Sequence, residues 1–274
     1  MLIETLSTFP HMYDSVMGES MMKRAQEKGI LEFRAHDLRD WTHDRHRTTD
    51  DDPYGGGAGL VMKCDPIFEA VEAILGKEFV EAKLAAAPPQ GESQQRSSAA
   101  PQIVFLAPQG RPFDDAYADK LAAADHLLFI CGHYEGIDER VYTLADHVIS
   151  LGDYVLTSGE LASMVVIDAA VRKLPGVLGA VEGPVDESFT SGLLEYPQYT
   201  RPADFRGMAV PEVLTSGNHA AIARWRREQS LARTAAARPD LIAAAEAAGR
   251  LTPADQKFLK LLEPAPTGAA EGVS

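Results

Sequence analysis

Short, wholly apolar segments constrain the fold of this chain more than any other feature. They are "QIVFLAP" at 102–108 and "HLLFICG" at 126–132, and "HVISLGDYVL" at 147–156 is similar. Runs of this length without polar alternation are typical of parallel strands that are covered on both faces. A segment with helical spacing, "GELASMVVIDAAVRKLPG" at 159–176, follows them. The alternation predicts an α/β fold with a mostly parallel sheet.

The N-terminal segments extend the same alternation. "LIETLSTF" at 2–9 predicts a strand, and Tyr13–Lys28 predicts a helix. "ILEFRAHDL" at 30–38 alternates apolar and polar residues, as a half-buried strand should. The spacing over 65–76 predicts a helix that Asp65 caps.

The pattern changes twice along the chain, which gives the predicted domain limits. Residues 81–102 are rich in Ala, Pro, Ser and Gln without sustained periodicity, which indicates a surface insertion within an α/β domain over 1–179. Residues 180–202 are rich in Gly, Pro and polar residues and predict a flexible linker. Residues 203–274 predict a small helical C-terminal domain with a disordered tail.

Composition bounds the class of protein. A chain of 274 residues with 45% hydrophobic and 24% charged residues is ordinary for a soluble globular protein. It has no run of 18 apolar residues and no signal-peptide pattern at its N-terminus, so we expect no membrane span and a cytoplasmic location. Cys64 and Cys131 have no metal-ligand or disulfide spacing, and Cys131 ends an apolar run, which favours a packing role.

Charge is distributed unevenly. The net charge of −14 argues against indiscriminate nucleic-acid binding. Residues 218–238 nevertheless hold five arginines against one acid, a net +4, and residues 34–47 add four arginines and three histidines. Taken alone, either cluster is as consistent with a solvated surface as with a binding site. The two clusters together favour directed binding of an anionic partner.

Three glycine-containing loops follow apolar strands: "LAPQGR" (106–111), "CGHYEG" (131–136) and "SLGDYVLTSGE" (150–160). At the carboxyl edge of one sheet they would form a pocket of backbone amides and carbonyls. None has the GxGxxG or GxxxxGK[ST] phosphate pattern, and Glu135 and Asp153 would repel phosphate. S-adenosylmethionine, with a sulfonium, an ammonium and an adenine but no phosphate, suits such a pocket.

Several longer motifs carry a resemblance to a known family: "THDRHRTTDDDPYGGGAGLVM" (42–62), "PQGR", "CGHYEGIDERV", "GDYVLTSGE", "PGVLG", "YTRP" and "LTSGNHAAIARWRREQSL". Together they resemble the bacterial tRNA (guanine-37-N1)-methyltransferases, the TrmD family of the knotted SPOUT superfamily. The match runs from the N-terminus to about residue 240, except for 81–102. It implies a homodimer, a deep trefoil knot that forms the S-adenosylmethionine site, and a tRNA-binding C-terminal domain; it leaves a Mg²⁺ requirement open.

The resemblance also implies the residues that bind the cofactor. The family's cofactor loops fall on Pro108, Gln109, Gly110, Gly132, Tyr134, Glu135, Leu151, Gly152, Asp153, Tyr154, Val155, Leu156 and Gly159. This chain has Ser158 where the family usually has a glycine. We therefore expect a slightly different backbone path in the third loop.

Methylation of guanine N1 needs two further groups. N1 is protonated at neutral pH, so a carboxylate must act as general base, and an arginine can stabilise the charge that develops on O6. The resemblance places the arginine at Arg172. It places the base immediately before "SF", where this chain has Glu187 instead of the usual aspartate and Asp186 one residue earlier. The register of the motif favours Glu187 as the base, and Asp186 is the alternative. A third interpretation is that both residues are solvated loop acids without a catalytic role.

The remaining motif residues concern RNA. "HDRHRTTDDDPYGGGAGLV" is rich in His and Asp but has no strict ligand spacing, so we expect no metal site. Its glycines favour an RNA-contacting loop. The predicted RNA-binding residues are Arg45, His46, Arg47, Tyr54, Arg224, Arg226 and Arg227. Trp225 taken alone is better explained as a core anchor.

Three functions are therefore open. The first is methylation of N1 of the guanine just 3′ of the anticodon in tRNA. The second is RNA binding by the same fold without catalysis, and the third is methylation of another base or of a ribose hydroxyl. Arg172 together with a carboxylate at 187 favours the first.

Overall fold

The structure is a computed structural model that describes residues 1–85, 99–178 and 187–262. The chain divides into two compact units, Met1–Val181 and Glu182–Ser274.

A parallel sheet forms the centre of the first unit. The strands of this unit are β1 (Leu2–Ser7), β2 (Glu32–Asp37), β3 (Asp50–Asp51), β4 (Val61–Met62), β5 (Gln102–Pro112), β6 (His126–Ile130) and β7 (His147–Ser150). Within the described residues, five of them form one sheet in the order β2-β1-β6-β5-β7, and every neighbouring pair is parallel. β3 and β4 form a separate antiparallel pair. The predicted α/β class with a mostly parallel sheet is confirmed.

Helices cover both faces of this sheet. They are α1 (Asp14–Met17), α2 (Ser20–Glu27), α3 (Cys64–Leu75), α4 (Lys77–Ala85), α5 (Asp115–Ala122) and α6 (Gly159–Val171). In β6, Leu127 and Phe129 belong to the same buried cluster as residues of α6, whereas Leu128 and Ile130 belong to the cluster of α3. Successive side chains of a strand point to opposite faces, so a strand covered on both sides is apolar throughout. This explains the unbroken apolar runs in the sequence.

One N-terminal expectation was wrong. The single helix predicted over Tyr13–Lys28 is a 3₁₀ turn followed by the short helices α1 and α2, which are separated at Gly18. Backbone crowds Gly18, where a Cβ would lie 2.6 Å from the carbonyl oxygen of Asp14. The strand predicted over 30–38 is present as the edge strand β2, in which exposed Glu32 and Arg34 flank the partly buried Phe33, whereas Ala35 is exposed.

Two further boundaries differ from the prediction. The strand expected to run to Leu156 ends at Ser150, because the following residues form the wall of a cavity described below. The segment predicted as an insertion over 81–102 begins inside α4, where Lys83 is buried and forms a salt bridge with Asp146. Residues 86–98 of that segment lie outside the described residues.

The second unit is mainly helical over its described residues. Its elements are β8 (Asp204–Phe205), β9 (Met208–Ala209), α7 (His219–Ala237), α8 (Pro239–Ala247) and α9 (Pro253–Leu262). Leu193, Leu231, Ala245 and Leu251 form its buried cluster. Trp225 is only half-buried and is not part of this cluster, so the core-anchor interpretation was wrong. The predicted disordered tail falls largely on 263–274, outside the described residues.

Candidate active site

A cavity of about 480 Å³ lies at the carboxyl edge of the parallel sheet in the first unit. Residues 106–109 within β5 and the loops after β6 and β7 form its walls, which confirms the expected convergence of the three glycine-containing segments. Most of the residues predicted to bind the cofactor line it: Pro108, Gln109, Gly132, Tyr134, Glu135, Leu151, Gly152, Tyr154, Val155, Leu156 and Gly159. Gly110 and Asp153 are not among the lining residues.

The first wall arises from an irregularity in β5. Leu106 and Arg111 both pair with Ile149 of β7, so the residues between them leave the regular ladder. Gly110 lies within this excursion, and a Cβ there would be 2.5 Å from the carbonyl carbon of Ile149. Real Cβ atoms do not approach backbone so closely, so glycine is required where β5 crosses the end of β7.

A second close contact joins α6 to the loop after β6. The backbone N–H of Gly159 donates to the carbonyl oxygen of Gly132 at 2.8 Å. A Cβ on Gly159 would lie 2.7 Å from the nitrogen of Gly132 and 3.0 Å from the Cα of Cys131. The preceding Ser158 has φ −152° and ψ 143°, an ordinary extended conformation that serine adopts without strain.

The loop 133–138 is also bonded to the glycine-rich segment that the sequence assigned to RNA contact. The N–H of Glu135 donates to Leu60 at 3.1 Å, and that of Met62 donates to Gly136 at 3.0 Å. The Glu135 side chain fills the space that a Cβ on Gly59 would need. Tyr134 in this loop has a positive φ of +60°. The pKa of its phenol is raised, mainly by burial and to a lesser extent by a hydrogen bond with Asp50.

A buried hydrogen-bonded group behind the cavity was missed by sequence reasoning. Glu160 is fully buried; one carboxylate oxygen lies 2.6 Å from Nε2 of His133, and the other accepts from the hydroxyl of Ser7. A carboxylate only accepts, so Nε2 of His133 carries the proton. The His133 ring also packs on Phe9, with ring centres 4.9 Å apart. His133 stands inside the quoted "CGHYEG", but no local pattern pairs it with a residue 27 positions away.

Cys131 has a packing role, as its sequence context indicated. It is completely buried, and burial raises the pKa of its thiol to about 12, with the nearby Glu160 adding to the shift. Tyr13 lies 3.1 Å from the sulfur, and burial raises the pKa of its phenol as well. Both groups therefore stay protonated near neutral pH, and neither can act as a nucleophile in anionic form.

The predicted catalytic residues lie in different units. Arg172 is the half-buried C-terminal cap of α6 in the first unit, and Glu187 is half-buried in the second. Asp186 lies outside the described residues. The turn after Glu187 is held to α7: the Leu194 N–H donates to Thr234 Oγ1 at 2.9 Å. Buried Leu193 packs in the same core as Leu231 of α7.

The predicted RNA-binding side chains differ in the hydrogen bonds that they make within the protein. Arg47 bonds Asp40 and the carbonyl oxygen of Arg39, and Arg227 makes two hydrogen bonds to Asp255, at 3.1 and 2.9 Å. The remaining predicted residues are exposed: Arg45, His46, Tyr54, Arg224 and Arg226.

The described residues contain neither a candidate metal site nor a candidate membrane span. No three His, Cys, Asp or Glu side chains in this part of the chain are arranged to hold a metal ion. Over the same ranges, every helix is too short or too polar to span a bilayer.

Known proteins are similar to this chain over most of its length. The family described as tRNA (Guanine-1)-methyltransferase TrmD matches residues 1–244. The tRNA (guanine-N(1)-)-methyltransferase of Limosilactobacillus reuteri (strain DSM 20016) is 51% identical over 246 residues, 90% of this chain and 91% of that protein. The protein of the same name from Symbiobacterium thermophilum is 51% identical over 260 residues, 95% and 97% of the two chains. The protein of the same name from Geobacillus kaustophilus is 51% identical over 243 residues, which are 88% of this chain and 91% of that protein.

The parallel sheet, the cavity at its carboxyl edge and these matches define the class as an α/β methyltransferase enzyme. More narrowly, the chain belongs to the tRNA (Guanine-1)-methyltransferase TrmD family.

Proposed function

We propose that this protein transfers a methyl group from S-adenosylmethionine to N1 of guanine 37, just 3′ of the anticodon in tRNA. The observation that carries the proposal is the cavity at the carboxyl edge of the sheet, in a chain whose relatives are named tRNA (guanine-N(1)-)-methyltransferases. Its loops offer backbone groups rather than a phosphate-binding pattern.

The residues around the cavity fit an adenosyl cofactor. Its volume of about 480 Å³ is within the usual range of small-molecule sites, about 300–1,000 Å³. Ile137, Leu151 and Leu156 supply apolar surface for an adenine, and Glu135 supplies a carboxylate for a positively charged group. Bound S-adenosylmethionine would supply an electrophilic methyl group on a sulfonium.

The chain's own residues supply the rest of the chemistry. Glu187 accepts the proton from guanine N1, since the ring nitrogen is a poor nucleophile while protonated. Arg172 donates hydrogen bonds to O6, where negative charge develops as the proton leaves. The Glu160–His133 pair holds the loop after β6 in place, and this positioning contributes to the rate because the methyl group moves in line.

We also propose the knot and the homodimer that the family implies. The close contact of Gly159 with Gly132 supports a tightly interlocked cofactor site. Exposed apolar side chains at Val155, Leu161 and Val165 support a second copy that covers this side of the unit. Because tRNA is the proposed substrate, the cytoplasm is the proposed location.

Methyl transfer to defined transcripts tests the proposal. With labelled S-adenosylmethionine, purified protein is expected to methylate a tRNA that carries G at positions 36 and 37, and replacement of G37 should abolish the transfer. No transfer to either transcript would favour the fold acting only in RNA binding. Transfer that survives replacement of G37 would identify a different target atom.

A further inference from the structure

The second unit contains a cavity of its own, of about 340 Å³, to which the proposed methyl transfer assigns no role. It lies between residues 196–203 and the N-terminal half of α7. Three aromatic residues line it, Tyr196, Tyr199 and Trp225, together with Arg201 and Arg226. Its volume is at the lower end of the range for small-molecule sites, which suits one nucleotide-sized group.

One aromatic ring of this cavity, that of Tyr199, is exposed, and the other two are half-buried. Tyr199 is 49% exposed and its ring centre lies 6.3 Å from that of the half-buried Trp225, at an angle of 53°. Large aromatic side chains normally bury most of their surface in a core, and this unit has a separate apolar cluster that excludes both. Accessible aromatic side chains on a concave surface are the arrangement with which proteins stack unpaired bases.

The charges of the cavity favour an anionic partner. Within the described residues, no carboxylate lies within ion-pair distance of Arg201 or Arg226. Arg226 instead lies over the ring of Tyr196, 4.8 Å from its centre. The next arginine of α7 differs, since Arg227 is committed to Asp255. A guanidinium placed by an aromatic ring rather than by a carboxylate keeps its charge available for a phosphate or the face of a base.

We propose that this cavity binds an unpaired base of the RNA substrate, at a position other than the methylated guanine. Tyr199 and Trp225 stack on the base, and Arg201 and Arg226 contact the adjoining phosphate. The inference rests on the proposed function, because that function makes an RNA the partner. It adds a second contact, which would select tRNAs by an exposed base rather than by duplex shape alone.

Tyr199 gives the sharpest test, since its exposure means that substitution should leave the fold intact. Tyr199→Leu is expected to weaken the Kd for the tRNA transcript about tenfold at fixed salt, the usual effect of losing one base stack. Tyr199→Phe keeps an aromatic face and is expected to retain wild-type affinity. In transcripts with 2-aminopurine at single unpaired purines, one position should be quenched on binding, and Tyr199→Leu should relieve that quenching.

Arg224→Gln is the matched control, because Arg224 is exposed on the same helix but does not line the cavity. It is expected to reduce the salt dependence of tRNA binding without changing 2-aminopurine fluorescence, whereas Tyr199→Leu should leave the salt dependence unchanged. Unchanged Kd and quenching in Tyr199→Leu would overturn the proposal. A change of oligomeric state in Tyr199→Leu on sedimentation would also overturn it, since the cavity would then be a contact between copies.

Methyl transfer by the wild-type protein separates this inference from the proposed function. Wild-type binding and 2-aminopurine quenching without methyl transfer would refute the proposed reaction but leave the base-binding cavity supported. Normal methyl transfer with no effect of Tyr199→Leu on Kd would refute the cavity's role alone.

Discussion

At the scale of single residues, position 187 is the most informative place in this chain. The proposed general base there is Glu187, whose carboxylate reaches one methylene further from the backbone than that of an aspartate. The turn that follows is fixed by hydrogen bonds: the Phe189 N–H donates to Leu193 at 2.8 Å and the Glu195 N–H to Ser188 Oγ at 2.9 Å. A carboxylate that precedes such a held turn has a restricted range of positions, which suits a general base.

Glu187→Gln is therefore expected to lower kcat by at least about a hundredfold, since an amide cannot accept the N1 proton. Its Kd for S-adenosylhomocysteine, measured by calorimetry, should stay within about twofold of wild type, because general-base catalysis and cofactor binding are separate functions. Asp186→Asn is the control and is expected to retain most activity. The reverse pattern would assign the base to Asp186.

At the scale of elements, the contact between the first turn of α6 and the loop after β6 determines one side of the cavity. Gly159→Ala would place a Cβ against the backbone of Gly132 and Cys131, and backbone cannot yield as a flexible side chain does. We expect the start of α6 to shift away from that loop. The expected result is at least a tenfold weaker Kd for S-adenosylhomocysteine and a lower Tm.

The neighbouring Ser158→Ala is the control for Gly159→Ala. Within the described residues the Ser158 hydroxyl is buried without a hydrogen-bond partner, so its removal should be neutral or slightly stabilising. Wild-type cofactor affinity in Gly159→Ala, measured by the same calorimetry, would show that the contact with Gly132 is not needed.

Much of this element-level architecture could be predicted because it is locally encoded. The apolar runs at 102–108 and 126–132 lie within or overlap central strands, and the helix over 65–76 is α3 almost residue for residue. The helix predicted over Tyr13–Lys28 failed because glycine is a poor helix former and the chain is extended at Glu19, with φ −128° and ψ 162°, which apolar spacing does not register. The Glu160–His133 pair was invisible because the fold, not the spacing, brings the two residues together.

At the scale of the whole molecule, each unit has ion pairs of its own, such as Lys83–Asp146 in the first and Arg227–Asp255 in the second. Each unit also contains one tryptophan, Trp41 in the first and Trp225 in the second. In the second unit, Asp255 on α9 bonds Arg227 of α7 and the N–H of Thr252. Burial raises the pKa of Asp255, but these hydrogen bonds outweigh it, and the net pKa lies below that of an ordinary carboxyl group.

The lowered pKa of Asp255 predicts acid sensitivity of the second unit. Because the folded pKa is below the unfolded value of about 3.9, the stabilisation is present above that pH and is lost as pH falls through the folded pKa. Trp225 fluorescence in a Trp41→Phe background should report a falling free energy of unfolding below about pH 4. At pH 7, Arg227→Gln is expected to cost about 1–2 kcal/mol and to flatten this dependence, whereas Arg224→Gln should do neither. An unaltered pH dependence in Arg227→Gln would contradict the assignment.

The group formed by Ser7, His133 and Glu160 limits how the family can diversify at this position. Without the imidazole, one oxygen of this fully buried carboxylate would lose its partner and only the Ser7 hydroxyl would remain, which is costly, so a relative that replaces His133 with an aliphatic residue should also have lost the acid. A relative that keeps the acid should carry another donor in place of His133. Positions 133 and 160 are therefore expected to change together among relatives. An engineered substitution at one of them requires a compensating substitution at the other.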